Sequence, residues 1–175
     1  LAGHSDVTLG YVAAKSPEVR QQMLDFAITA GLTVSPFDCW LAEPGLLTFD
    51  LSFERAQQNA QALAETLGRL PAVKRVLYPK RTDHPDHKLA QTVLGVNGGN
   101  MVSFELKGGR SAANTFVRAA KELAFAPTLG DVGTTLSHPV SSSHRALSEQ
   151  TRLALVITEG FFRISVGLEP IETLG

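Results

Sequence analysis

The stretch Phe161-Phe162-Arg163-Ile164-Ser165-Val166 has the two-residue repeat of a β-strand. Phe162, Ile164 and Val166 share one face; Phe161, Arg163 and Ser165 share the other. The first face reads as core. A guanidinium in mid-strand on the second face must reach water, a carboxylate or a ligand. From the residues alone two readings stand: a salt-bridged strand arginine, or a bidentate clamp for a carboxylate.

Working outward, the same repeat recurs at Met101 to Leu106, where Val102, Phe104 and Leu106 line up and Gly108-Gly109 closes the run. Val73 to Tyr78 reads as a short strand ended by Pro79, and Thr134 to Leu136 as another closed by Pro139. Helical spacing is predicted over Asp86 to Leu94, Ser111 to Leu123 and Ser148 to Leu155. From Pro71 onward the chain is therefore α/β. Upstream, Phe53 to Leu70 carries Ala56, Ala60, Leu63, Ala64 and Leu67 on one stripe, a helix suited to joining two domains. Ser35 opens a helical stretch that Pro44-Gly45 is expected to break. Ser16-Pro17 is a helix start, with Ser16 as N-cap, and Glu18 to Ala30 continues it. Val7 to Ala14 is predicted to be a buried strand, the edge of an α/β layer whose partner strands lie outside this sequence.

The 175 residues carry 16 Lys+Arg and 17 Asp+Glu, a net charge of −1 that offers no footprint for nucleic acid. One cysteine, Cys39, excludes an internal disulfide and fits a reducing cytoplasm. No apolar run approaches a membrane span, and the opening residues lack the pattern of a signal peptide. Leu1 stands where an initiator methionine would, so the chain is expected to begin inside a longer protein. No metal site is expected: His84 and His87 lie three apart, but Pro85 interrupts any helix that would align them. His4-Ser5-Asp6 are adjacent in sequence, which is not triad geometry. His138 and His144 flank serines without a nucleophile elbow. Nucleotide-binding glycine motifs are absent.

Several stretches, in order, resemble the pyridoxal-phosphate (PLP) dependent Cys/Met metabolism enzymes. That family includes cystathionine γ-synthase, cystathionine β- and γ-lyases, methionine γ-lyase and O-acyl-homoserine sulfhydrylases. The matching stretches are Gly3-His4-Ser5-Asp6-Val7, Ser35-Pro36-Phe37-Asp38, Gly45-Leu46-Leu47-Thr48, Asn59-Ala60 and Gly99-Asn100-Met101-Val102-Ser103-Phe104-Glu105. Leu129-Gly130-Asp131, Thr135-Leu136, His138-Pro139, Ser143-His144 and Phe162 to Glu169 follow. Leu-Gly-Asp followed by His-Pro resembles the methionine γ-lyase and sulfhydrylase branch, with cystathionine γ-synthase close to it.

The resemblance implies the C-terminal part of a fold-type I PLP-dependent transferase. Residues 1–52 would be the end of the large PLP-binding domain, 53–70 a linking helix, and 71–175 a small α/β domain with a mostly antiparallel sheet. It implies β/γ-elimination or γ-replacement on sulfur amino acids or activated homoserine, in a homodimer or homotetramer. Arg163 falls on the arginine that binds the substrate α-carboxylate, Thr128 on a neighbouring hydroxyl, and Thr135 on a supporting threonine. The cofactor lysine would lie two positions before Leu1, so this chain by itself is expected to be inactive. Three positions depart from the family pattern: Pro44 and Ser52 stand where arginine is usual, and Val156 replaces a glycine suited to a left-handed turn.

Overall fold

The computed structural model describes residues 3–173, which divide into two compact units at the boundary between Phe49 and Asp50.

The second unit is built on one five-stranded sheet. Its strands are β1 (Val73–Leu77), β2 (Met101–Leu106), β3 (Ala124–Phe125), β4 (Thr135–Ser137) and β5 (Phe161–Ser165). They lie in the order β1-β2-β5-β4-β3. All neighbours are antiparallel except the β3–β4 pair. β5 is central because its apolar face, Phe162 and Ile164 followed by Val166, is buried completely or nearly so. Phe162 stacks on Phe104 of β2 with centroids 5.4 Å apart, and Phe116 meets both rings edge-on. Burying side chains of this size stabilises a fold by about 1.5–3 kcal/mol each.

Two long helices cover that face. α3 (Phe49–Arg69) buries Ala56, Ala60, Leu63, Ala64 and Leu67, the stripe its sequence spells, together with Asn59. α5 (Gly109–Ala119) contributes Ala113 and Phe116. α4 (His87–Leu94) and α6 (Glu149–Ala154) are short surface helices without buried residues. α6 ends in a Schellman motif: Ile157 N–H donates to Arg152 O at 2.8 Å and Val156 N–H to Leu153 O at 2.9 Å. The residue in the left-handed position is Val156, at φ +62°. The fold therefore keeps the turn that glycine favours and makes a β-branched side chain adopt it.

The first unit contains α1 (Pro17–Thr29) and α2 (Pro36–Leu47), capped by the hydroxyls of Ser16 and Ser35. The predicted strand at Val7 to Ala14 does not form; Tyr11 and Val12 are 78% and 76% exposed. A buried strand needs a neighbour for its backbone groups, and every described strand lies in the second unit. Val19, Met23 and Phe26 of α1 are likewise exposed. The break predicted at Pro44-Gly45 is also absent, since α2 runs through Pro44 to Leu47 and stops at Thr48. Pro44 and Trp40 are exposed, so the Trp40 carbonyl that proline leaves unpaired can be met by water. Thr48 Oγ1 donates to Pro44 O at 3.3 Å.

Among the described residues no helix is long and apolar enough to cross a membrane.

Candidate functional site

Arg163 lies at the middle of β5, paired with Ser103 of β2 on one side and Ser137 of β4 on the other. Directly opposed residues share a face of the sheet. The face opposite the core therefore carries Arg163, Ser103, Ser137, Ser165 and Thr135, an arginine set among hydroxyls.

Among the described residues Arg163 is not spent on a salt bridge. The carboxylate on the same face, Glu105, is engaged elsewhere. It meets Lys74 Nζ at 3.0 Å and Arg75 Nε at 2.7 Å, and accepts from Thr158 Oγ1 at 2.9 Å. Burial pushes the Glu105 carboxyl up, but the bonds from Lys74 and Thr158 and the charge of Arg75 hold it below its ordinary value. Among the described residues four buried side-chain atoms lack a hydrogen bond: Arg75 Nε, Glu105 Oε2, Glu159 Oε2 and Arg163 Nε. The first two face each other in the ion pair just described, and Glu159 Oε2 lies 2.9 Å from Arg110 Nε. Among the described residues Arg163 Nε alone of these four has neither kind of partner. A buried donor left unpaired costs about 1–3 kcal/mol, and a carboxylate presented to the guanidinium would recover it.

Thr135 is buried on β4, and its Oγ1 donates to Thr128 O at 3.2 Å. Thr128 itself is exposed, on the loop between β3 and β4. The structure thus joins Thr128 to Thr135 directly, and Thr135 to Ser165 through the β4–β5 register. Ser165 Oγ accepts the Gly130 N–H at 2.9 Å and Asn100 Nδ2–H at 3.4 Å. The sequence repeat puts Ser165 on the Arg163 face, but not these bonds.

Side chains remote in sequence fix the end of β5. Asn59 of α3 donates to Gly167 O at 3.0 Å and to Glu169 O at 2.8 Å. Glu169 accepts from Thr134 N–H at 2.5 Å and from its Oγ1–H at 2.8 Å. A Cβ at Gly167 would collide with the Val132 carbonyl oxygen.

Three histidines, His138, His84 and His87, serve the scaffold. His138 is buried, with Nε2 3.0 Å from Glu159 O and Nδ1 2.8 Å from Ser141 Oγ. A carbonyl only accepts, so Nε2 carries the proton and Nδ1 accepts from the serine. Burial pushes the His138 pKa down; the Glu159 carbonyl bond opposes this, and the Arg110 charge adds to it. His84 Nδ1 accepts the Asp86 N–H at 3.1 Å, and His87 Nδ1 lies 3.2 Å from Pro79 O. Both rings are bound to backbone.

The family model for Cys/Met metabolism PLP-dependent enzymes matches residues 1–175. The chain is 39% identical over 166 residues to O-succinylhomoserine sulfhydrylase of Pseudomonas aeruginosa, covering 95% of this chain and 41% of that protein. It is 39% identical over 177 residues to cystathionine beta-lyase of Bacillus subtilis, covering 99% and 44%. The crystal structure of cystathionine gamma synthase from Xanthomonas oryzae pv. oryzae, in complex with aminoacrylate and cysteine, superposes with a TM-score of 0.90 at 40% identity. That match covers 99% of this chain and 44% of the other. The chain spans less than half the length of each of these relatives.

Proposed function

Because the chain belongs to the Cys/Met metabolism PLP-dependent enzyme family, we propose that it supplies the substrate-carboxylate side of an active site for β/γ-elimination or γ-replacement on sulfur amino acids or activated homoserine. The observation that carries this is the buried, unpartnered Arg163 Nε on a hydroxyl-lined sheet face. Residues 1–52 are read as the end of the large cofactor domain, 53–70 as the linking helix and 71–175 as the small domain. The groups that would hold the cofactor, the lysine among them, are read as lying upstream of Leu1. The whole enzyme is read as a cytoplasmic homotetramer.

The donor set here fits a substrate held beside the cofactor. Arginine and hydroxyls suit a carboxylate, which stays intact while bonds at Cα and beyond are remade. Pyridoxal phosphate, when bound, supplies an electron sink for the pair left at the substrate Cα. Arg163 contributes orientation: a two-point grip on a planar carboxylate fixes how the remaining Cα bonds point. Thr135 contributes rigidity by holding the Thr128 carbonyl, and with it the loop, against β4.

Arg163→Ala in the full-length enzyme tests this by calorimetry with L-2-aminobutyrate, an amino acid without a leaving group, and with propylamine, the same molecule without its carboxylate. Loss of charge-assisted hydrogen bonds is expected to weaken L-2-aminobutyrate by about 10- to 100-fold and leave propylamine unchanged. Equal weakening of both, or of neither, refutes the assignment.

A further inference from the structure

The loop between β3 and β4 carries Thr128, and its stretch 127–130 has little to hold it by packing. Residues 127–130 are all exposed, Leu129 by 62%. A segment with few buried apolar contacts opens readily unless hydrogen bonds fix it. Thr128 and Gly130 are nevertheless each bonded to the sheet. Thr135 Oγ1 donates to Thr128 O at 3.2 Å, and Gly130 N–H donates to Ser165 Oγ at 2.9 Å. Gly130 sits at φ +80°, a conformation that favours glycine, with its amide directed to the serine. Ser165 is only 1% exposed and lies two residues after Arg163 on the same sheet face. Asn100 Nδ2 shares its bonds between Ser165 Oγ at 3.4 Å and Val166 O at 3.1 Å.

We propose that Ser165 is a positioning residue for substrate-carboxylate binding: its hydroxyl holds the Gly130 amide, and with it the loop bearing Thr128, against the strand that bears Arg163. The inference rests on the reading of Arg163 as the carboxylate clamp. Ser165 does not touch the substrate. It removes freedom from the loop before the ligand arrives, so less ordering is left to be done on binding.

The test uses the full-length enzyme, calorimetry with L-2-aminobutyrate and propylamine, and amide hydrogen exchange of the peptide spanning 126–132. Ser165→Ala is expected to weaken L-2-aminobutyrate about five- to tenfold, leave propylamine unchanged, and speed exchange in that peptide. Ser165→Thr, which keeps the hydroxyl, is expected to restore both. An unchanged binding ratio, equal weakening of the two ligands, unchanged loop exchange or failure of Ser165→Thr to restore the wild-type values each overturns the proposal. Ser165→Cys, nearly isosteric with a weak acceptor, carries the same expectations if Ser165→Ala does not fold. Arg163→Gln in the same assay separates the two ideas. If it leaves the ratio unchanged, the clamp reading fails; if it collapses the ratio while the Ser165 variants do not, only the loop proposal fails.

Discussion

Replacing Val156 tests how the fold accommodates a residue its backbone does not favour. The residue occupies the left-handed position of the α6 Schellman motif, at φ +62°. That conformation costs an L-residue about 1–2 kcal/mol, and glycine nothing comparable. Val156→Gly relieves the strain, loses the contacts of a side chain that is 45% exposed, and adds freedom to the unfolded chain. The last two effects nearly offset the first, so the informative comparison is between Val156→Gly and Val156→Ala. Both lose the valine contacts, and only alanine retains the strain. The Val156→Gly variant should be the more stable by about 1 kcal/mol, about 4 °C in the thermal midpoint. The order should invert at Ala154, inside the same helix and also exposed, where Ala154→Gly should cost about 0.5–1 kcal/mol. Thermal and urea unfolding of the three variants and wild type, scored together, decide the matter. A Val156→Ala variant more stable than Val156→Gly would refute the left-handed assignment.

Other perturbations reach the framework behind Arg163. Asn59→Ala leaves the carbonyls of Gly167 and Glu169 without their donor and should cost about 1–3 kcal/mol, read from urea midpoints. Gly167→Ala drives a methyl into the Val132 carbonyl and should cost about 1–3 kcal/mol by overpacking, measured the same way. His138 has a pKa in the folded state below its ordinary value of 6.5. Its neutral form is favoured by folding, so the stabilisation is complete above pH 6.5 and is lost as pH falls from there through the lower folded value. Unfolding free energy should therefore drop between neutral and mildly acid pH, and His138→Gln should flatten that part of the profile. An unaltered slope in His138→Gln would assign the acid loss to other groups.

The sequence by itself determined what depends on local periodicity and chemistry. The alternation of Phe162, Ile164 and Val166 against Arg163 and Ser165 defined β5 and its two faces, because a strand repeats every two residues wherever it lies. The stripe of Ala56, Ala60, Leu63, Ala64 and Leu67 defined the buried face of α3 for the same kind of reason. The ordered motifs named the family. Strand pairing, by contrast, was not legible, since hydrogen bonds between strands leave no mark on residue identity. Only the tertiary structure placed Ser103 and Ser137 beside Arg163, joined Gly130 to Ser165, and sent Glu105 to Lys74 and Arg75. Val7 to Ala14 shows the converse: its composition reads as a buried strand, yet without neighbours to accept its backbone bonds it forms none. The sequence supplied an arginine that needed a partner; the fold decided that no carboxylate among its described residues would be that partner, because the one on the same face is already held by two cations.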